Sequence, residues 1–249
     1  MKKFATMFVL SLLMVWGGQA MAQTKGYLSL SAAFPMGKYA KGDINEWALT
    51  NASLDSRYAG ASIGANVGLK MCFGVGVPGL SVMLSADGFF NGLNNNLKEH
   101  FDQHEIDLKN NPLISSFTVN RPRYFNVPIM AGLNHIVYFS PSGSFGMYFE
   151  AAVGANARFI TDNYESIKYA ANVATTTTNY DYKTAFSFAY QVGIGFEAAK
   201  SFVFGVSFYD LGASKVTAER TLPIVGTDIY KNEKGVRPQM LLARIGFKF

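Results

Sequence analysis

The run from Ala185 to Ala198, AFSFAYQVGIGFEA, alternates strictly with a period of two. Phe186, Phe188, Tyr190, Val192, Ile194 and Phe196 fall on one side of an extended chain. Ser187, Ala189, Gln191, Gly193, Gly195 and Glu197 fall on the other. Residues 145–159 repeat the pattern: Phe145, Met147, Phe149, Ala151, Val153 and Ala155 share one face, and Gly146, Tyr148, Glu150, Gly154, Asn156 and Arg158 the opposite one. An α-helix cannot sort these residues, because its side chains repeat every 3.6 positions; a β-strand does.

Eight such segments are expected, at about 25–36, 57–70, 79–91, 122–138, 144–161, 183–198, 201–212 and 237–249. Their connections alternate in length. Long ones run at about 37–56, 92–121, 162–182 and 213–236; short ones sit at about 71–78, 139–143 and 199–200. A soluble sandwich wets one face of each sheet and has no reason to make every second connection short. Nor does it call for so many aromatics on one face, in a chain that carries 21 Phe and 13 Tyr. A barrel in a bilayer calls for both: an apolar exterior, a polar interior, short turns at one end and long loops at the other. A tilted strand crosses with about 9–11 residues, and every segment reaches that length. The fold class expected is all-β, an eight-stranded antiparallel up-and-down transmembrane β-barrel. No later stretch offers a run of apolar residues long enough for a spanning helix.

The N-terminus fits this reading. Lys2 and Lys3 precede an apolar run from Phe4 to Trp16, then Gly17, Gly18 and Gln19, then Ala20-Met21-Ala22. That layout is a secretory signal peptide, residues 1–22, with a barrel domain over 23–249. No Cys follows the apolar run, so no lipid anchor is indicated, and the single Cys72 forms no disulfide within the chain. The expected location is the outer membrane of a Gram-negative cell envelope. An even number of strands puts both termini in the periplasm. The formal charge of +5 is dispersed and forms no basic stripe, so nucleic acid is not an expected partner.

The last segment places Leu241, Ala243, Ile245, Phe247 and Phe249 toward lipid and Leu242, Arg244, Gly246 and Lys248 toward the lumen. This ending resembles the C-terminal assembly signal of bacterial outer-membrane proteins, which implies the barrel-assembly machinery as a partner during biogenesis. The rest of the chain resembles the small outer-membrane β-barrel family that includes the PorT-like proteins. The resemblance is carried by Arg123-Tyr124-Phe125-Asn126-Val127-Pro128-Ile129, with its Tyr-x-x-x-Pro, and by "NVGLK" at 66–70. It implies a role as an accessory to protein secretion for some members.

Parity puts Asp87, Glu150, Arg158, Glu197, Arg244 and Lys248 inside the lumen. An eight-stranded barrel is just wide enough for side chains to fill. Opposite charges should therefore pair into a structural plug, with Glu150, Arg244 and Asp87 meeting; the alternative is a narrow channel for small solutes or apolar molecules. No catalytic residues are expected. His135, flanked by Asn134 and Ile136, suggests no triad, and a barrel enzyme acting on lipid or peptide is the lesser alternative. In "KEHFDQHEID" at 98–107, His100 and His104 share a helical face beside Glu99, Asp102, Glu105 and Asp107. A divalent metal could sit there, but the spacing fixes no third ligand, and a short charged helix at the barrel mouth is the simpler reading. No cofactor is expected. "NVATTTTNY" at 172–180 should extend a hairpin above the membrane. The expected partners are outer-membrane lipid and lipopolysaccharide, and a protein bound through the loops.

Overall fold

The computed structural model describes residues 24–41, 60–140, 143–161, 163–169, 176–199, 201–222, 226–231 and 236–249. The expected signal peptide lies outside them. In chain order the elements are β1 (Thr24–Met36), α1 (Gly37–Ala40), β2 (Ala61–Gly74), β3 (Leu80–Leu93), α2 (Asn95–Asn110), β4 (Ile114–Val119), β5 (Tyr124–Tyr138), β6 (Phe145–Ile160), β7 (Asn163–Tyr169), β8 (Thr176–Tyr182), β9 (Ala185–Ala198), β10 (Phe202–Asp210), β11 (Thr217–Leu222), β12 (Gly226–Lys231) and β13 (Gln239–Lys248). Eight of them close into an antiparallel barrel in the order β1-β13-β10-β9-β6-β5-β3-β2. The eight barrel strands correspond one for one to the eight segments read from the sequence. The largest shift is in β2, which runs on to Gly74 and shortens the following turn.

The seam of the barrel is the pairing of β1 with β13, from Tyr27↔Lys248 to Met36↔Gln239. Beyond it Phe249 and Gly26 exchange two backbone hydrogen bonds, 2.9 and 3.0 Å long. Closure of this kind leaves no strand edge to be satisfied by water, which a bilayer interior does not supply. Between the strand ends the described exterior is apolar apart from His135 toward the turn end of β5. Leu30, Val67, Leu84, Ile129, Leu133, Val153, Val192, Val206 and Ile245 all point outward. Aromatic rings flank this aliphatic band. At the turn end Phe145 stacks on Phe196 at 5.6 Å, Phe196 meets Phe204 at 5.6 Å and Phe202 meets Phe247 at 5.0 Å. At the loop end Phe90 and Phe125 lie 5.2 Å apart, and Phe34, Phe159, Phe186 and Phe188 are exposed. An apolar band between two aromatic girdles is the surface a strand barrel presents to lipid. Among the described residues no helix is long and apolar enough to cross a membrane, which does not bear on crossing by strands.

Pro128 sits inside a barrel strand yet costs little. It pairs with Asn156 on β6, while the β3–β5 ladder resumes only at Ala86↔Ile129 and Phe89↔Asn126 on either side of it. A proline has no N–H to give, so the ladder is interrupted where it stands.

Three of the long connections are built rather than irregular. The hairpin extension expected at 172–180 is present over its described part, Thr176 to Tyr180 in β8, residues 172–175 lying outside the described residues. The charged helix expected at 98–107 lies within α2, whereas β4, β11 and β12 are not expected from the sequence. Five strands form a second sheet in the order β12-β11-β8-β7-β4. β7 and β8 carry the β6–β9 hairpin onward, β4 pairs with β7, and β11 pairs with β8. The physical reason is continuity: a strand leaving the barrel carries amides and carbonyls that need partners, and its neighbour continues beside it. The Thr- and Tyr-rich composition of β7 and β8 favours extended backbone. The connection 92–121 also contains α2, capped by Asn94, whose side chain accepts from Leu97 N at 2.9 Å. Leu97 and Leu108 are its buried residues.

Candidate functional site in the barrel lumen

Because every second residue of each barrel strand points inward, the lumen collects side chains from all eight strands. Its middle is built around Glu150 of β6. Lys70 of β2 donates to Glu150 Oε2 at 2.7 Å, and Arg244 of β13 donates to Oε1 at 2.9 Å. Ser207 of β10 adds a third donor at 3.3 Å. Arg244 also donates to the Tyr209 hydroxyl at 2.6 Å, and that hydroxyl donates to Asp87 Oδ2 at 3.1 Å. Arg244 itself stands 3.9 Å from Asp87 Oδ1, which accepts from Asn66 at 3.3 Å. Glu150, Asp87 and Arg244 are all buried. A planar guanidinium with several donors can bridge two acceptors in this way. The network ties β2, β3, β6, β10 and β13 together across the interior.

The two ends of the lumen are closed differently. Toward the turns, Lys248 pairs with Glu197, which also accepts from the Tyr27 hydroxyl at 3.4 Å. Lys70 lies over the rings of Tyr27 and Tyr148, 4.6 and 4.9 Å from their centroids. Toward the loops, Tyr39 of α1 is fully buried and packs edge-on against Tyr124 at 5.7 Å. Arg158 lies over both rings, at 5.4 and 5.8 Å. Cation–π contacts of this kind strengthen when desolvated. Asn126 donates to the Tyr39 hydroxyl at 3.3 Å and Asn156 donates to Asn126 at 3.2 Å.

Glycines make the room for these long side chains. A Cβ at Gly193 would come within 2.6 Å of Ser207 Oγ and 2.9 Å of Glu150 Cγ. A Cβ at Gly195 would come within 2.6 Å of the Tyr148 hydroxyl. The glycines on the inner face of β9 are therefore what lets Glu150 and Tyr148 reach across. Gly193→Ala should cost about 1–3 kcal/mol through overpacking, read as a lowered urea midpoint for unfolding from lipid vesicles. An unchanged midpoint would mean that Glu150 lies elsewhere.

All six lumen charges expected from parity are buried or partly buried inside the barrel, and Asp87, Glu150 and Arg244 are brought together. Arg158 is placed against the rings of Tyr39 and Tyr124. Lys70, Tyr209 and Tyr39 escape sequence reasoning. Lys70 shares inward parity with Asn66 and Gly68, a signal that the sequence does carry; Tyr39 comes from a connection, where periodicity says nothing. At the loop rim, Asp210 accepts from Arg237 Nε at 2.8 Å, from Gln239 at 2.9 Å and from Gly212 N at 3.0 Å, fixing the exit of β10 against the start of β13.

Outside the lumen, His104 does not join His100. Its Nε2 lies 2.5 Å from Glu165 Oε2 on β7, while His100 is exposed beside Phe101. Arg121 binds Asp102 at 2.7 Å and Glu105 at 2.6 Å. These contacts moor α2 to the second sheet and to the chain entering β5. Among the described residues no group of three His, Cys, Asp or Glu side chains is placed to hold a metal ion. His135 is exposed on the outer face of β5. The lipid-facing row of β13, Leu241, Ala243, Ile245 and Phe247, points outward, and so does Phe249 beyond it.

No protein-family model matches the chain, and no curated protein matches it. Among solved structures it is similar to Ail, the attachment invasion locus protein of Yersinia pestis, at 11% identity over 92% of this chain and 100% of that one, with a TM-score of 0.41. It is similar to a major outer membrane protein from Thermus thermophilus, at 10% identity over 91% and 99%, with a TM-score of 0.44. It is also similar to Neisserial surface protein A, at 11% identity over 91% and 97%, with a TM-score of 0.38. Likenesses of this degree bring no ligand, partner or role to this chain.

Proposed function

We propose that this protein is a non-enzymatic outer-membrane barrel with a closed lumen, which holds an extracellular sheet for a protein partner to bind. The short turns and both termini face the periplasm, and the second sheet and α2 stand outside the cell. One observation carries the reading: the lumen is crossed by paired charges at several levels, while strands from the loop end continue into a five-stranded sheet. A pore needs a continuous water column, and a lumen this narrow filled with side chains leaves little room for one. A rigid sheet, by contrast, is a surface that a partner can dock on without ordering loops first. The apolar band and its girdles meet outer-membrane lipid and lipopolysaccharide.

The test removes the platform and keeps the barrel. Residues 162–182 are replaced by a short turn joining β6 to β9, and partners are crosslinked in native membranes. The shortened variant should reach the membrane with an intact barrel and lose the crosslinked protein that the full chain captures. Equal capture by both, or none by the full chain, would contradict the reading. The resemblance to PorT-like barrels suggests protein secretion as the process that partner serves, and export of secreted cargo can be scored in the same strains.

The same reading assigns Phe249, with the outward row ahead of it, to recognition during assembly. Deleting Phe249 removes two backbone hydrogen bonds at the seam as well as the terminal ring. The expected outcome is periplasmic degradation and a several-fold loss of surface protein; normal surface levels would refute it.

A further inference from the structure

Beside the ion network lies a small cavity. Ser29, Lys70, Ser85, Asp87, Gln191 and Arg244 are among the residues that line it. Its size admits about one water molecule. Three of its lining residues carry buried polar atoms that find no hydrogen-bond partner among the described residues: Ser85 Oγ, both Oε1 and Nε2 of Gln191, and Arg244 Nε. Gln191 is 1% exposed and Ser85 is 7% exposed, so neither is satisfied by bulk solvent. Buried polar groups are nearly always paired with protein or with ordered water. Several unpaired atoms around one cavity therefore point to an occupant.

The chemistry of the atoms says which occupant. Gln191 needs both a donor and an acceptor opposite its amide, Ser85 can give or take a proton, and Arg244 Nε needs an acceptor. A halide cannot donate to Gln191 Oε1, a metal cation or ammonium cannot accept from Arg244, and a protonated oxyanion is too large for a cavity of this size. The local charges also balance already, Lys70 and Arg244 against Glu150 and Asp87, so an added ion would unbalance them. We infer that this cavity is a built site for a single internal water, held by Gln191, Ser85 and Arg244, which completes the plug. Such a water makes two to four hydrogen bonds and is costly to remove.

The experiment is a crystal structure of the folded barrel at a resolution that shows ordered water, for the unmodified chain and for Gln191→Met, with a parallel soak in sodium bromide. The unmodified chain should show one water peak within hydrogen-bond distance of Gln191 and Ser85, with no bromide anomalous signal there. Gln191→Met, similar in size and apolar, should lose the peak while the barrel is otherwise unchanged. Should that variant fail to fold, Ser85→Ala serves, with the peak weakened or displaced. An empty cavity in the unmodified chain, a bromide peak at the site, or an unmoved water in Gln191→Met would overturn the inference.

Discussion

Glu150→Leu should be the most damaging single change in the lumen, lowering the stability of the folded barrel by about 3–5 kcal/mol, the usual cost of removing one member of a buried ion pair. Glu150 is the shared acceptor of Lys70 and Arg244, and Leu would leave both cations without it. The two are not equally stranded. Arg244 keeps Tyr209 and stands 3.9 Å from Asp87, whereas Lys70 retains only the faces of Tyr27 and Tyr148 among its described contacts. Lys70→Met should cost less, because Glu150 keeps Arg244 and Ser207. Lys70→Met combined with Glu150→Leu removes the stranded ammonium together with its carboxylate, and should cost clearly less than the two single changes added. Urea unfolding from lipid vesicles measures all four corners of the cycle, and contacting residues give coupling energies of about 0.5–3 kcal/mol. A coupling near zero would show that Lys70 and Glu150 do not meet.

A lysine at Val153 should cost about 2–4 kcal/mol, the range for a cation on the lipid face at bilayer mid-depth. Val153 is 54% exposed, near the middle of β6, with Phe145 and Phe159 on the same face toward the two girdles. Its cross-strand neighbours are Ala131 and Tyr190, neither of which offers a negative charge. Leu113→Lys is the control: Leu113 is 67% exposed in the turn before β4, beyond the barrel, and a charge there should change stability by less than about 0.5 kcal/mol. Equal losses at the two positions would mean that the outward face of β6 does not meet hydrocarbon.

What can be read from the sequence is whatever a period of two can encode. Alternation along 145–159 and 185–198 sorts Phe149 from Glu150 and Ile194 from Gly193, and the alternating lengths of the connections give an up-and-down order. Parity alone sets Glu150 and Arg244 on the inner face, but their 2.9 Å approach depends on stagger between strands that are far apart in the chain. Lys70 escapes because the segment read from the sequence ends at 70, whereas β2 continues four residues further, to Gly74, and makes Lys70 an interior strand position. Tyr39 reaches the lumen from α1, a single helical turn with no periodic signature. Apart from the hairpin extension that the Thr-rich run marks, the second sheet is hidden for a related reason. Its strands are short, polar and not alternately apolar, so they lack the contrast that marks a lipid-facing strand, and their pairing is inherited from the barrel hairpins beneath them. The mooring of α2 by His104–Glu165 and Arg121–Glu105 joins residues 61 and 16 positions apart, a juxtaposition that only the folded chain supplies.

The most direct test of the closed lumen is electrical. Purified, folded barrel is inserted into a planar bilayer under an applied potential and the current recorded. With Lys70, Glu150, Arg244 and Asp87 paired across the middle and Tyr39, Tyr124 and Arg158 packed above them, the bilayer should show no steady single-channel current. Stable, stepwise currents from the unmodified protein would contradict the plug and make the barrel a channel.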